Sequence, residues 1–380
     1  MEFERIYTGW RSKRLTQDQA AAILGVTART FRRYINRYID EGLEGLYDKR
    51  LMKASHRRAP LDEVLEVCNL YQQKYSDFNV KHFYRWYEQK HGGVRSYTWV
   101  KNTLQKKGLV QKGYKRGPHR KQRERSPYTG MMIHQDGSTH QWVPGQKWDL
   151  IVTMDDATNE HYSMFFVPEE GTASSFKGVR EVIETHGLFS CFYSDRGSHY
   201  WYTPKAGGKV DKTRLTQFGR ALSHLGIEMI AAYSPQARGR SERMFKTHQD
   251  RLVKELASAE ITDMEKANQY IKDVYMPNFN DEFSKPAPEN GSVFVPWVGE
   301  DIRDILCEQH KRTVNNDNCV NYKGLTLQIP ADQYRCHYVK AKVKINQYDD
   351  RTMSIFHGPR KLAIYNAEGQ LTKTNATQAA

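Results

Sequence analysis

Three acidic residues stand out by their settings: Asp136 in IHQDGSTHQW, Asp195 in FYSDRGSHY and Glu242 in RGRSERMFKTHQD. The first two follow short apolar stretches of strand character, and the third opens a stretch of helical periodicity. They are separated by 59 and 47 residues, so only tertiary folding brings them together. Carboxylate oxygens are the hard donors that Mg²⁺ prefers. A cluster of three would hold two such ions ~3.5–4 Å apart, an arrangement that neutralises a phosphodiester, activates an attacking oxygen and stabilises a leaving one. Glu228 and Glu255 compete for the third position. Glu228 falls in a strand-like run, and Glu255 lies about three turns beyond Glu242 on the same helix. Asp155 and Asp156 end another strand-like run and are expected to be turn residues rather than ligands.

The elements that must position these acids follow from the pattern between 131 and 256. MMIHQD is a strand. WDLIVTMDDATNEHYSMFFV (148–167) gives two strands around a turn at 157–160. TASSFKGVREVIETHG is a helix ending at Gly187, LFSCFYSD a short buried strand, 215–225 a helix, IEMIAAY a strand, and 240–256 a helix. The order β-β-β-α-β-α-β-α implies a mixed sheet with helices packed on it. A helix is expected over 262–275, and the Pro-, Asn- and Gly-rich stretch 276–300 is expected to be extended. From about 320 the strands GLTLQI, YVKAKVKINQY, TMSIFH and KLAIYN follow, with Lys340, Lys342 and Lys344 on one face and Val339, Val343 and Ile345 on the other. A small β-barrel is the expected packing.

The charge points to a polyanion. Residues 1–126 hold 28 Lys+Arg against 13 Asp+Glu, and the remaining 254 residues hold 30 against 31. The whole excess of the +14 chain therefore lies in its first third. There, LTQDQAAAILGVTARTFRRYINRYIDEGLEGL (15–46) has the form of a helix-turn-helix. Thr16 caps the first helix, Gly25 makes the turn, and Thr27 caps a second helix ending near Gly42. Ala20, Ala21, Leu24, Val26, Phe31 and Tyr34 are its packing positions. Arg29, Arg32, Arg33, Asn36 and Arg37 are its candidates for DNA contact. Residues 79–110 repeat the theme, with Arg95, Thr98 and Lys101 as candidates. Arg57 and Arg58 lie in a basic connector, and Lys115, Arg116 and Arg120 in the linker QKGYKRGPHRKQRERSP (111–127), where seven residues are Lys or Arg.

Other classes fit poorly. No apolar run approaches the ~20 residues that span a bilayer, and MEFERIYTGW lacks the apolar centre of a signal peptide. Five widely spaced cysteines fit reduced thiols better than a disulfide framework. Cys307-x-x-His310 with Cys319 and Cys336 matches no closed zinc motif, and no GxxxxGK[ST] loop for ATP is present.

Taken together, HQDGSTHQW, DLIVTMDDAT, FYSDRGSHY and SPQARGRSERMFKTHQDRL resemble the DDE transposases of the retroviral-integrase superfamily, in particular bacterial insertion-sequence transposases of the ISNCY type. The resemblance implies a multidomain chain. Helix-turn-helix domains occupy 1–60 (with the basic connector) and 61–110, and a basic linker 111–128. An α/β ribonuclease-H-like catalytic core with a mixed sheet spans 129–285, followed by a linker over 286–319, a small SH3-like β-barrel over 320–371 and a tail over 372–380. It implies that Asp136, Asp195 and Glu242 hold two Mg²⁺ ions, with Mn²⁺ as the alternative. Arg196 and His199 after Asp195, and Arg238, Arg240, Arg243 and Lys246 around Glu242, would then meet DNA near the scissile bond. The Asp–Glu interval is longer than in the best-known members, and TPKAGGKVDKTR (203–214) accounts for the excess as an inserted loop. The implied partners are double-stranded DNA, namely terminal inverted repeats and target, and further copies of the chain in a dimer or larger assembly. No membrane is expected, and the implied location is a bacterial cytoplasm, at the nucleoid. A DNA-binding regulator on an inactive transposase core, and a ribonuclease-H-type nuclease without strand transfer, are the competing readings.

Overall fold

The structure, a computed structural model, describes residues 2–48, 58–113, 117, 124–205, 208–233, 239–299 and 301–374. Its contacts form two compact units, one of residues 1–74 and 98–111, the other of 75–97 and 112–380.

The smaller unit opens with α1 (Glu2–Arg11), α2 (Gln17–Ile23) and α3 (Ala28–Glu41). The Thr16 hydroxyl accepts the Gln19 N–H at 3.2 Å while the Gln19 side chain accepts the Thr16 N–H at 2.9 Å. This capping box fixes the start of α2. Thr27 caps α3 through its hydroxyl alone, which accepts the Thr30 N–H at 3.2 Å. Gly25 turns the chain between them at φ +65°, a conformation that a residue with Cβ adopts only under strain. Ile6, Ala20, Ala21, Phe31 and Ile35 form the core. The sequence pattern gave no hint of α1, which supplies Phe3, Ile6, Tyr7 and Trp10 to that core. The unit also contains α4 (Leu61–Lys74).

The expected second helix-turn-helix at 61–110 is divided between the units. Its middle helix, α5 (Val80–His91), lies in the larger unit, whereas α6 (Tyr97–Lys106) falls in the smaller one from Thr98 onward.

The larger unit is built on a five-stranded sheet. Its strands are β1 (Met132–Val143), β2 (Gln146–Asp155), β3 (His161–Val167), β4 (Cys191–Ser194) and β5 (Glu228–Ala231), in the order β3-β2-β1-β4-β5. The first three are antiparallel, and β4 and β5 run parallel to β1. One apolar layer joins Ile133 and Phe192 to α7 (Thr172–His186) and α8 (Gln217–His224). On the opposite face Leu150, Val152, Met154 and Phe166 pack on α9 (Gly239–Ser258), α10 (Met264–Tyr270) and α11 (Met276–Phe283). Element order and sheet type are as the sequence implied. One stretch differs: 276–283, expected to be extended, is helical. A π turn at Ile271–Tyr275 carries α10 into α11, and Pro277 stands in the first turn, where its missing N–H costs nothing.

The C-terminal region corrects the barrel expectation. Strands β6 (Glu308–Thr313), β9 (Lys342–Gln347), β10 (Met353–His357), β11 (Arg360–Tyr365) and β12 (Leu371–Thr374) form an open antiparallel sheet in the order β12-β11-β10-β9-β6. The strands β7 (Cys319–Tyr322) and β8 (Leu325–Gln328) pair as a separate hairpin. Val320, Leu327, Val343, Ile345, Ile355 and Tyr365 share one core. Among the described residues no pairing joins β12 to β6, so no barrel closes. The expected linker at 286–319 contains β6, whose sequence EQHKRT has no apolar alternation. Pairing with β9, from Glu308↔Gln347 to Thr313↔Lys342, makes it a strand.

Candidate active site and nucleic-acid interface

Sheet register brings two of the three acids together. The parallel β1–β4 pairing runs from Met132↔Cys191 to His134↔Tyr193. Extended two residues further, the same register sets Asp136 of β1 opposite Asp195, the residue just past the end of β4, and adjacent strands lie about 5 Å apart. Alternation puts His134, Asp136 and Ser138 on the face that α9 covers. Two contacts fix the helix along β1: Gln249 Nε2 donates to Ser138 Oγ at 3.0 Å, and Arg240 binds Asp156, whose Oδ1 also meets His134 Nε2 at 2.9 Å. Glu242 shares a flank of α9 with Phe245 and Gln249, so it lies on the side of the helix that runs beside the Asp136 strand. Its side chain is exposed. Among the described residues, no group of three or more His, Cys, Asp or Glu side chains is disposed to hold a metal ion. Register thus brings Asp136 and Asp195 to the same end of the sheet, and Glu242, exposed on α9, closes no ligand set with them.

Each of the two aspartates accepts a nearby backbone N–H, Asp136 within β1 and Asp195 in the loop after β4. The Gly137 N–H donates to Asp136 Oδ1 at 3.1 Å, and the Gly197 N–H to Asp195 Oδ1 at 2.8 Å. Arg196 Nη1 donates to the Gly208 carbonyl at 2.8 Å, which ties the Asp195 loop to the 203–214 insertion.

The proposed DNA-reading residues of α3 fall on one stripe. Arg29, Arg32, Arg33, Asn36 and Arg37 are all exposed, at helical i, i+3, i+4, i+7 and i+8 spacing, opposite buried Phe31 and Ile35. Arg58, Thr98, Arg243 and Lys246 are exposed, and Arg95, Lys101, Arg196 and Arg240 are partly so. Arg57, Lys115, Arg116, Arg120 and Arg238 lie outside the described residues.

A helix-turn-helix domain model matches residues 10–55. "Putative transposase y4bF" of Sinorhizobium fredii is 28% identical over 350 residues, covering 90% of this chain and 75% of that one. The "Transposase for insertion sequence IS1202" of Streptococcus pneumoniae is 28% identical over 223 residues, 58% of this chain and 47% of that one. The chain is thus similar to a putative transposase over most of its length and to an insertion-sequence transposase over more than half of it. Loose structural likenesses include a simian T-cell lymphotropic virus intasome (TM-score 0.34, 12% identity, 82% of this chain and 100% of that one) and the magnesium-bound HTLV-2 integrase catalytic core (TM-score 0.31, 14% identity, 39% and 87%).

Much of the charge around the site is structural. Asp155 accepts the Gly130 N–H through Oδ1 and the Thr158 N–H and hydroxyl through Oδ2. Burial raises its pKa against those hydrogen bonds. Asp156 is fully buried, receiving the Ser126 N–H and hydroxyl together with His134 and Arg240. Asp155 thus builds the turn at Thr158, as expected, whereas Asp156 ties Ser126, His134 and Arg240 together. Arg240, expected at DNA, is engaged with Asp156. Glu255, the rival third acid, binds His82 Nε2 and the Tyr270 hydroxyl, each at 2.9 Å. Burial lowers the His82 pKa and Glu255 opposes that shift. The same helix pair is held by Asn79 on Asp250, and α11 is tied in by Arg85 on Asp281 and the bidentate Arg251–Glu282 pair. These contacts explain why α5 folds with the catalytic unit.

The sequence reading also missed a buried imidazole pair behind the site. His161 Nε2 and His248 Nε2 are 3.0 Å apart, His161 Nδ1 reaches the Asn159 carbonyl at 3.0 Å, and His248 Nδ1 meets the Tyr275 hydroxyl at 2.9 Å. With both rings neutral every group is satisfied: Tyr275 donates to His248, His248 to His161, and His161 to Asn159. Burial pushes His161 down to about 4 and His248 well below its usual value. No signal in the sequence marks two histidines 87 positions apart as partners.

Proposed function

We propose that this chain is a DDE transposase: it binds the terminal inverted repeats of an insertion sequence and catalyses metal-dependent DNA cleavage and strand transfer. The observation that carries the reading is the register that sets Asp136 beside Asp195 under the helix of Glu242. The donor set fits Mg²⁺, because all three groups are carboxylates, with Asp136 on β1 and Asp195 just past the end of the adjacent β4. Asp136, Asp195 and Glu242 would hold the metal ions, with Mn²⁺ as the alternative, and closing the set requires Glu242 to turn in from its exposed position. When bound, the ions supply charge neutralisation on the scissile phosphate and activation of the attacking hydroxyl.

The chain's own residues do the rest. The α3 stripe reads base edges in a major groove and sets which DNA is presented. Arg243 and Lys246, on the exposed side of α9, neutralise phosphates flanking the scissile bond. A water, and later the freed 3′-OH, attacks in line, and no covalent bond to protein forms. Two ends must be processed together, so the working form is a dimer or larger assembly on DNA. Such an enzyme works in the cytoplasm. Among the described residues, no helix is long and apolar enough to cross a membrane.

The test is to incubate the chain with duplexes carrying an element end and Mg²⁺, and to follow nicked and joined strands on denaturing gels. Joined product supports the transposase. Nicking without joining would favour a nuclease, and end binding without any cutting a regulator on the same fold.

A further inference from the structure

A fourth acid lies closer to the aspartate pair than sequence suggested. Glu170 stands at the corner between β3 and α7, where its N–H donates to buried Asp149 Oδ2 at 2.7 Å. Its carboxylate lies against the backbone beside Asp136: a Cβ added at Gly137 would fall 2.3 Å from Glu170 Oε2. Its other oxygen is 3.5 Å from His199 Nε2. That nitrogen is buried and makes no hydrogen bond at this distance, so Glu170 is the acceptor nearest to closing on it. His199 in turn flanks Asp195. A Cβ at Gly197 would meet His199 Cε1 at 2.9 Å, Asp195 Oδ1 at 3.0 Å and His199 Nδ1 at 3.2 Å. The two glycines thus leave room for contacts that run from the Gly137 backbone through Glu170 and His199 to the Asp195 loop. The adjacent Tyr200 hydroxyl, which donates to Gln135 Oε1 at 2.9 Å, is held well above its ordinary pKa, first by burial and then by Glu170, Asp136 and Asp195.

We propose that Glu170 is a positioning residue of this site: its carboxylate accepts a hydrogen bond from His199 Nε2 and fixes the ring against the Asp195 loop. A ring held through Nε2–H presents Nδ1 as an acceptor. Nδ1 lies on the Gly197 side, near the Asp195 carboxylate. The logic is that of a base oriented by a carboxylate behind it. This inference rests on the transposase reading for its consequence, but not for its geometry.

Two measurements test it separately. Long-range ¹H–¹⁵N spectra of the full chain with labelled histidine, at pH 8 and without DNA, report which ring nitrogen of His199 carries the proton. The proposal expects the Nε2–H tautomer in the native protein and its loss in Glu170→Ala, which removes the acceptor. An Nδ1–H ring in the native protein, or one tautomer unchanged in Glu170→Ala, would overturn it whether or not the chain cuts DNA. The second is a cycle of Glu170→Ala, His199→Asn and the double variant in the joining assay. Glu170→Ala should slow joining about tenfold with end affinity unchanged, and should cost nothing more once His199 is gone. Equal costs in both backgrounds, or no cost in either, would contradict a role exercised through His199.

Discussion

The helix-turn-helix and the catalytic unit use charge in opposite ways. On α3, five polar and basic residues form an exposed stripe, and the fold beneath them is held by Phe31, Ile35 and two alanines. Around the sheet, by contrast, Asp155, Asp156, Arg240, Arg251, Glu255 and Glu282 are spent on holding the protein together. An arginine near the site is therefore weak evidence of a DNA contact, whereas an arginine on the α3 stripe is strong evidence. The difference follows from geometry. A three-helix unit keeps one helix face clear for a groove, while a sheet covered on both faces has to satisfy polar loop ends in its interior.

That contrast is open to breaking. The largest expected effect is at the aspartate pair. Asp136→Asn should lower joining by roughly 10³-fold with folding intact, because it removes several kcal/mol of metal-borne stabilisation. Glu255→Gln, an equally acidic position before substitution, should instead lower the melting temperature, because His82 and Tyr270 lose their charged acceptor. Joining by Asp136→Asn at a near-native rate would sink the assignment.

The buried imidazole pair gives the next effect. Both rings are held below the ordinary histidine value, so the unfolded chain binds protons more readily than the folded one. The resulting stability is complete above about pH 6.5 and is lost as pH falls toward about 4, on the order of 3 kcal/mol for His161 alone. Denaturant melts between pH 7.5 and 5 should show this loss, and His248→Gln should flatten it. A pH-independent midpoint in the native protein would contradict the neutral pair.

Arg240 and Arg243 make a paired test. Arg240→Ala leaves buried Asp156 short of a cation and should destabilise by roughly 3 kcal/mol. Arg243→Ala should leave the melt within about 0.5 kcal/mol of native and weaken DNA binding. The smallest single effects belong to the stripe: Arg32→Ala or Arg33→Ala should cost about 1–3 kcal/mol in end affinity for a base contact, and stability should not move. Binding measured over a salt series separates base from phosphate contacts. If the stripe variants melted early and bound normally, the comparison would be reversed.

Legibility in the sequence followed the same divide. Both caps, the turn glycine and most packing residues of α2 and α3 are local signals and stand where the pattern put them, but Ile35 takes the core place expected for Tyr34. The core strands were legible too, because buried strands in a covered sheet are apolar runs with turn residues between them. Three features were not. β6 is a strand by virtue of its partner β9, α11 tolerates a proline only because a π turn delivers it in the first turn, and α5 joins the catalytic unit through His82 and Glu255, 173 positions apart. Glu170 and His199 belong to the same class. Each is an ordinary loop residue until the sheet sets Gly137 beside one and Gly197 beside the other.

The most direct test of the central claim compares native chain and Glu242→Gln on one end-sequence duplex with Mg²⁺, measuring end affinity and 3′-OH joining in the same samples. Equal affinity with joining by the native chain alone is the predicted result, and it would make the exposed Glu242 the acid that completes the aspartate pair. Equal affinity with equal joining would contradict the assignment of Glu242. Equal affinity with no joining by either protein would contradict the transposase reading itself.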